Sequence, residues 1–392
     1  MKKILVVTNR SFQQVGGIEK HVFDVSRALT EKSNRLNIRQ ICFANKTTEN
    51  IAVNDNYHAH HIKTWFLFDH QYPVLSISAF IQLYWEIKTF KPDVIHTHNR
   101  YMLSSISAQL LAVFFKIPLI HTEHASGINV FSNKLLQFLS NTLDNTIVAW
   151  LLKKCQVITA VSESSSQFLE NRFGLQNIVV TKNFINTREI DTIVHNLTAQ
   201  KQRKTNMSCI FVGRLVDSKG YKSLLHLLEI NSKLLKRFTF TIVGGGNGRK
   251  LVKKAANKLL NLRYLGELPR KKTIQQLFNA DIYINMSTLE GLSTTIMEAM
   301  YLNKTILATP ISPNIELLST YSNGFLFNEI AVSRSNFVSA LICAKTTSAR
   351  ETSASRAERK KLQLQQSRTV RKYRRAYSIA AGGSKWYNVL LK

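Results

Sequence analysis

Two glutamates stand eight positions apart in EGLSTTIMEAM, residues 290–300, with Gly291, Leu292 and Ser293 directly after the first. The run DIYINMS before them reads as a strand, so Glu290 to Thr294 occupy a turn into a helix. A helix start presents unpaired backbone N–H groups and the positive end of the macrodipole, which favours an anion. Ser293, Thr294 and Thr295 suit the capping or lining of that turn. With the helix beginning near Ser293, Glu298 falls roughly 5–8 Å along the axis from the anion pocket. A carboxylate there can accept hydrogen bonds from sugar hydroxyls, while Glu290 would meet a second sugar ahead of the turn. An anion between two sets of hydroxyls describes a nucleotide sugar. An ordinary helix begun by an acid fits the same residues, and that alternative stays open at this point.

A second segment, FVGRLVDSKG at 211–220, runs from a strand into a loop that holds Arg214 and, five residues later, Lys219. Two cations on one loop at a strand's carboxyl end suit a diphosphate, although surface cations are common in so basic a chain. In VGGIEKHV, after the first strand, Gly16 and Gly17 allow close backbone approach to a ligand. The phosphate-loop signal is weak, because neither G-x-G-x-x-G nor G-K-[ST] is present. TIVGGGNGRKL has Arg249 where a dinucleotide fingerprint needs its third glycine, and reads as a tight turn. Histidines gather at two strand ends, His96 and His98 in DVIHTHNR and His121 and His124 in LIHTEHASG. His-x-His on a strand also occurs in metal hydrolases, but no acidic ligand cluster accompanies it here. HAHH at 58–61 reads as a polar loop. The eight aspartates never form Asp-x-Asp, the pairing that would hold a divalent ion against a diphosphate. No metal or other cofactor is therefore expected; charge on a departing phosphate would be met by Arg214, Lys219 and helix N–H groups.

The elements that must carry these residues are short β-branched runs, each followed by a helical pattern. KILVV, RQICFA, DVIHTH, IPLIHTE and VITAVSES lie in the first half; CIFVGRL, FTFTIVGGG, LRYLGEL, DIYINMS and TILATP lie in the second. They predict buried parallel strands in two α/β sheets. The 392 residues accommodate two domains, and 44% hydrophobic content supplies their cores. The boundary is expected within 183–206, where NLTAQKQRKTNMS is polar and basic. Residues 345–375 carry eleven Lys or Arg against two Glu and read as a solvated helical face, and SKWYNVLLK as a packed terminal helix. The four scattered cysteines, Cys42, Cys155, Cys209 and Cys343, argue against a zinc site or a disulfide framework and suit a reducing compartment. MKKILVVTNR reads as a first strand rather than a signal peptide, and LLAVFFKIPLI, interrupted by Lys116, is too short to span a bilayer. A net charge of +29 calls for an anionic partner: phosphorylated substrate, acidic lipid or nucleic acid.

Taken together, GG-x-E near the N-terminus, P-D-V-I-H-T-H, G-R-L-x4-K-G and E-G-x-S-x5-E-A-M resemble the retaining family-4 glycosyltransferases, in order and approximate spacing across 1–330. The resemblance implies a GT-B fold, two Rossmann-like domains facing each other across a cleft. It implies an acceptor-binding domain over 1–183, joined by a helix at 377–392 that crosses back, and a donor-binding domain over 184–376. By position, Glu290 would contact the donor sugar and Glu298 the nucleotide ribose. Arg214 and Lys219 would hold the diphosphate with backbone at Gly291, Leu292 and Ser293, and Gly17, beside Gly16, would meet the phosphates. His124, with His121 second, would approach the transferred sugar. The chain departs from the family at KNFINT, where Phe184 replaces the glycine of an Asn-Gly turn, and in its basic region past 340.

The acceptor is expected to be a saccharide, lipid-linked. The apolar and basic residues of 63–85 and of GINVFSNKLLQFL fit either core packing or a surface docked on an acidic membrane, which would place the protein in the cytoplasm, peripheral at the membrane face. Two other readings remain at this stage: a sugar-nucleotide epimerase of the same fold, and a basic nucleic-acid-binding protein, for which no recognised signature appears.

Overall fold

A computed structural model describes residues 1–11, 16–31, 35–45, 50–67, 72–74, 76–128, 133–195, 197, 206–327, 334–346 and 353–382. The terminal helix expected over SKWYNVLLK and the stretch 198–205 of the expected linker lie outside the described residues. The chain divides into two compact units, Met1–Asn183 with Gln366–Lys392, and Phe184–Gln365.

The first unit contains β1 (Lys2–Val7), β2 (Leu36–Ala44), β3 (Ile51–Asn54), β4 (Tyr57–Lys63), a small antiparallel pair β5 (Trp65–Leu67) and β6 (Tyr72–Val74), then β7 (Val94–His98), β8 (Leu119–Glu123), β9 (Val157–Ala160) and β10 (Val179–Val180). Eight strands form one sheet in the order β10-β9-β8-β7-β1-β2-β4-β3, parallel except where β3 meets β4. Apolar runs make its interior: Leu5, Val7, Ile41, Ile95 and Leu119 pack on Leu83, Ile87, Ala108 and Leu111 of the crossover helices. HAHH is not a loop. It lies within β4, where buried Tyr57, Ala59 and Ile62 share the strand with half-buried histidines. The histidines conceal a strand signal because they are polar in type yet partnered in place, His60 Nδ1 lying 3.0 Å from Glu86 Oε1. The antiparallel pairs likewise depart from the all-parallel expectation.

The second unit contains β11 (Met207–Val212), β12 (Phe238–Val243), β13 (Leu262–Gly266), β14 (Ile282–Asn285), β15 (Thr305–Ala308) and β16 (Gly324–Leu326), all parallel in the order β13-β12-β11-β14-β15-β16. In each sheet the order reverses beside the unit's first strand, between β1 and β7 and between β11 and β14. At such a reversal, loops leaving the two strands diverge, and open α/β sheets bind ligands at the carboxyl ends there.

From Ser353 onward the basic region lies in one helix, Ser353–Ala380. Leu362, Val370, Tyr373, Ala376, Tyr377 and Ala380 are buried, while Lys360, Lys361, Arg371 and Arg374 stay exposed, as a solvated helical face requires. Its first half serves the second unit, Gln363 Nε2 donating to Tyr301 Oη at 3.2 Å. From Gln366 onward it belongs to the first. There Thr369 Oγ1 and Lys372 Nζ each donate, at 2.7 Å, to the carbonyls of Lys182 and Val180.

Candidate functional site

In the second unit the reversal point lies between the loop after β11, which carries Arg214 and Lys219, and the loop after β14, which carries Glu290. Two devices hold these loops together. Thr288 N donates to Ser218 O at 2.9 Å. Gly220 adopts φ +69°, and a Cβ there would collide with the Met286 carbonyl oxygen, so only glycine lets the loops close. Behind them the expected tight turn TIVGGGNG acts as a backstop: Leu215 N donates to Gly245 O at 2.7 Å and Gly248 N to Leu215 O at 3.0 Å. A side chain at Gly244, φ +147°, would strike the carbonyl oxygen of Gly213.

With the loops closed, Lys219 Nζ donates to Glu290 Oε1 at 2.5 Å and Ser287 Oγ donates to the same oxygen at 2.8 Å. Lys219 and Glu290 are 23% and 11% exposed, so the pair is shielded yet open on one side. An ammonium has three donors, and two remain for an anion. Arg214 is exposed, and its side chain forms no ion pair with a described residue. Gly291, Leu292 and Ser293 are buried and lead into the helix Thr294–Tyr301, with Ser293 Oγ accepting from Ile296 N at 3.4 Å as its cap. Glu298 follows in that helix, 4% exposed. Its Oε1 accepts from Arg270 Nη1, and Arg270 Nε also lies 3.5 Å from Glu189 Oε1. Arg214, Lys219, Glu290, Glu298 and the Gly291–Ser293 backbone thus belong to one sheet edge.

Arg270, Ser287 and Tyr283 were not singled out by their sequence pattern. Arg270 is one more cation in LPRKK of a chain with 53 lysines and arginines. Tyr283 sits inside β14, and burial first, then the nearby Glu290 and Glu298 carboxylates, push its phenol well above the ordinary value. Only its place in a strand aimed at the glutamates could have indicated it.

The first unit arranges its candidates differently. Gly16 and Gly17 lead into the helix Gly17–Glu31, and the Glu19 carboxylate folds back over Gly16, where a Cβ would have to displace it. A carboxylate at a helix start suits the dipole. His96 and His98 lie in β7 and His121 in β8; all three are buried, as is His124 just past β8. His98 Nδ1 is 3.0 Å from His124 Nε2, and His96 bridges Tyr377 Oη at 2.8 Å and Thr122 Oγ1 at 2.7 Å. His121 Nδ1 faces Thr97 Oγ1 at 3.0 Å and Gln109 Nε2 at 3.1 Å. His21, from the helix after the glycines, joins at 3.4 Å from Tyr373 Oη. Burial holds His96, His98 and His124 well below the usual imidazole range and brings His21 to about 3, so these rings stay neutral. Beneath them Glu123 Oε1 accepts from the amides of His124 and Ala125, both at 2.9 Å, while Arg100 Nη1 lies 3.0 Å from Glu123 Oε2. Burial alone would raise the Glu123 carboxyl; Arg100 and His121 outweigh it and hold the group at about 2. Of the two candidate histidines, His121 is enclosed in the sheet and His124, 7% exposed, reaches further out. Among the described residues no group of three or more His, Cys, Asp or Glu is placed to hold a metal ion.

Two α/β units, each with a largely parallel sheet reversing at its first strand, define the GT-B class of protein. The family model "Glycosyltransferase Family 4" matches residues 15–189 and "Glycosyl transferases group 1" matches 196–342. The chain belongs to this glycosyltransferase family. It is 25% identical over 342 residues to an uncharacterized glycosyltransferase of Methanocaldococcus jannaschii, covering 83% of this chain and 86% of that one. It is 22% identical over 317 residues to the GPI3 subunit of phosphatidylinositol N-acetylglucosaminyltransferase from Saccharomyces cerevisiae, covering 78% and 68%. The Anabaena protein HepE, solved in complex with UDP and glucose, superimposes with a TM-score of 0.66 at 16% identity, covering 96% of this chain and all of that one. No helix among the described residues is long and apolar enough to cross a membrane.

Proposed function

We propose that this glycosyltransferase moves a sugar from a nucleotide-diphosphate sugar to a lipid-linked saccharide, retaining the anomeric configuration and using no metal, in the assembly of a surface polysaccharide or lipopolysaccharide. The observation that carries the donor half is the Lys219–Glu290 pair at the β11/β14 reversal point, beside a capped helix start. The two remaining Lys219 protons and the Arg214 guanidinium bind the diphosphate, and the helix amides meet its charge without reorganising. Glu298, aligned by Arg270, faces the ribose, and Glu290, aligned by Lys219 and Ser287, faces the donor sugar. From the first unit the family resemblance adds Gly17 and Gly16 for the phosphates and His124, then His121, for the transferred sugar; these roles rest on resemblance alone.

Transfer breaks the bond between the anomeric carbon and the phosphate oxygen and forms one to the acceptor oxygen on the same face. The acceptor's proton passes to the departing phosphate oxygen, which Lys219 and Arg214 stabilise. The chain's lack of Asp-x-Asp supports a metal-free reaction. The yeast relative, named for transfer to phosphatidylinositol, supports a lipid acceptor, and HepE with UDP and glucose supports a nucleotide-sugar donor.

Calorimetric titration against UDP-, GDP- and other activated sugars tests this reading. One donor should bind saturably, and Arg214→Ala and Glu298→Ala should each weaken it about tenfold or more. Unchanged affinity in both variants would remove the proposed site. Chelator should leave turnover intact, whereas loss restored by a divalent ion would overturn the metal-free assignment.

A further inference from the structure

The helix Lys134–Leu143 contains no buried residue. Leu135, Phe138 and Leu139 are 65%, 65% and 54% exposed, on a helix whose other residues are mainly polar. It continues through a wide turn, Asp144–Val148, where Ile147 is exposed, into the helix Ala149–Lys153, where Trp150 is exposed. That segment packs beside the helix Leu103–Phe114, which in turn packs beside Ile77–Phe90. These neighbours expose further large apolar side chains: Phe114 on one, and Ile77, Ile81 and Trp85 at helical spacing on the other. Isolated exposed apolar residues are ordinary, but so many on adjoining helices form a surface with a purpose.

Its exposed charges are predominantly of one sign. Lys88, Lys91, Lys116, Lys134, Lys153 and Lys154 are exposed on or beside these helices. The acids within them do not oppose that charge: Glu86 is paired with Arg39 at 3.0 Å, and Asp144 is buried against Arg100 at 3.3 Å. Lys88 Nζ lies 4.8 Å from the Trp85 ring and Lys154 Nζ 5.7 Å from the Trp150 ring. Tryptophan beside a lysine that can extend past it is the arrangement favoured at a lipid headgroup boundary. A second protein copy would bring the same lysines against one another, whereas an acidic leaflet would neutralise them.

We propose that this face of the first unit, centred on Leu135, Phe138 and Leu139 with the lysine rim, docks in the interface of an anionic lipid bilayer. Apolar side chains enter the headgroup boundary and the lysines meet acidic headgroups. The inference deepens the lipid-acceptor reading by naming the surface that brings the enzyme to it, but does not depend on which saccharide is extended.

Co-sedimentation of the full chain with phosphatidylcholine vesicles containing about one-third phosphatidylglycerol tests it. The protein should bind these and leave pure phosphatidylcholine largely unoccupied. L135Q/F138Q, altering two exposed positions, should weaken binding about tenfold or more. K88E/K134E/K154E should abolish the preference for acidic vesicles, and high salt should reproduce that loss. Failure to bind acidic vesicles, or binding by both variants as strong as the parent's, would overturn the proposal. So would an L135Q/F138Q protein that turns from dimer to monomer with lipid binding intact, because the face would then join two copies. Donor binding measured on the same variants separates the two readings: it should be unchanged, and its absence in the parent protein would count against the glycosyl-transfer site rather than the docking face.

Discussion

The two sheets reverse strand order at equivalent places, yet the polar residues found there have opposite fates. At the β11/β14 point, Lys219 and Glu290 sit on loops beyond the strands and stay 23% and 11% exposed. At the β1/β7 point, His96 and His98 sit in the strand itself and are 1% and 4% exposed, covered by His21, Tyr373 and Tyr377. A residue inside the last turn of a parallel strand is enclosed by the crossover elements on both faces. One on the loop just past the strand keeps an open side. Histidine density near a strand end therefore marks a buried polar network in the first unit, while a sparser lysine and glutamate mark the accessible edge in the second.

Acid should break the first region and spare the second. His21, His96, His98 and His124 have folded pKa values below 6.5, so the unfolded chain takes up protons first as pH falls. Their contribution is complete above 6.5 and is lost progressively below it, towards about 3 for His21. Going from about pH 7.5 to about 5.5 should cost about 1 kcal/mol for His21, and His96, His98 and His124 should add to the loss in the same direction. Glu123, held at about 2, stays ionised throughout and adds nothing in this window. Tyr373, Tyr377 and Thr122 face the rings and carry no compensating charge there. A melting temperature flat across that interval would show the rings to be hydrated and the network unimportant. A second break in this region is Glu123→Gln, which leaves Arg100 with Asp144 as its charged partner and removes the carboxylate that holds the His124 amide. Breaking a buried pair of this kind should cost about 3–5 kcal/mol in chemical denaturation.

This contrast also explains what could be read from the sequence. The ten strand runs were legible because buried parallel strands are nearly continuous in Val, Ile, Leu and Phe, as in KILVV and FTFTIV. β4 was not, because its inward residues share the strand with three histidines, and the partners of His60 and His61, Glu86 and Ser11, come from elsewhere in the chain. The donor-side motifs stood out through spacing alone: a glycine after a lysine, and glutamates eight apart around a serine cap. Their partners did not. Arg270 comes from a helix start twenty-eight residues before Glu298, and nothing local distinguishes it from the adjacent Lys271 and Lys272. In Ser353–Ala380 the helical face was legible but its buried stripe was not, because that stripe includes Tyr373 and Tyr377, whose polar ends only make sense once His96 and Thr122 lie opposite.

Gly220→Ala tests whether the second region depends on loop closure. The new Cβ must occupy space held by the Met286 carbonyl, at a φ of +69° that alanine rarely adopts. A loss of about 1–3 kcal/mol is expected. Donor affinity should fall with it, because Lys219 is the preceding residue. A variant with parent-like stability would mean that the loops part easily and that the Lys219–Glu290 contact is not fixed by this glycine.

The smallest expected change in stability is the most discriminating. Lys219→Ala removes a partly exposed ion pair, and such pairs contribute less than about 1 kcal/mol because solvent competes for both charges. Glu290 keeps the Ser287 hydroxyl and an open side, so its carboxylate is not stranded. The same substitution removes the ammonium proposed to face a diphosphate, where a charge-assisted hydrogen bond is worth about 1.5–3 kcal/mol, a tenfold or greater loss in donor affinity. Paired measurement of unfolding and of nucleotide-sugar binding on the same protein therefore separates the two regions by ratio rather than by size. Glu123→Gln should disturb stability first and Lys219→Ala binding first. If Lys219→Ala instead lowers stability by several kcal/mol and leaves donor affinity untouched, the lysine is a structural clamp, and the accessible edge of the second sheet has no greater claim to chemistry than the buried histidines of the first.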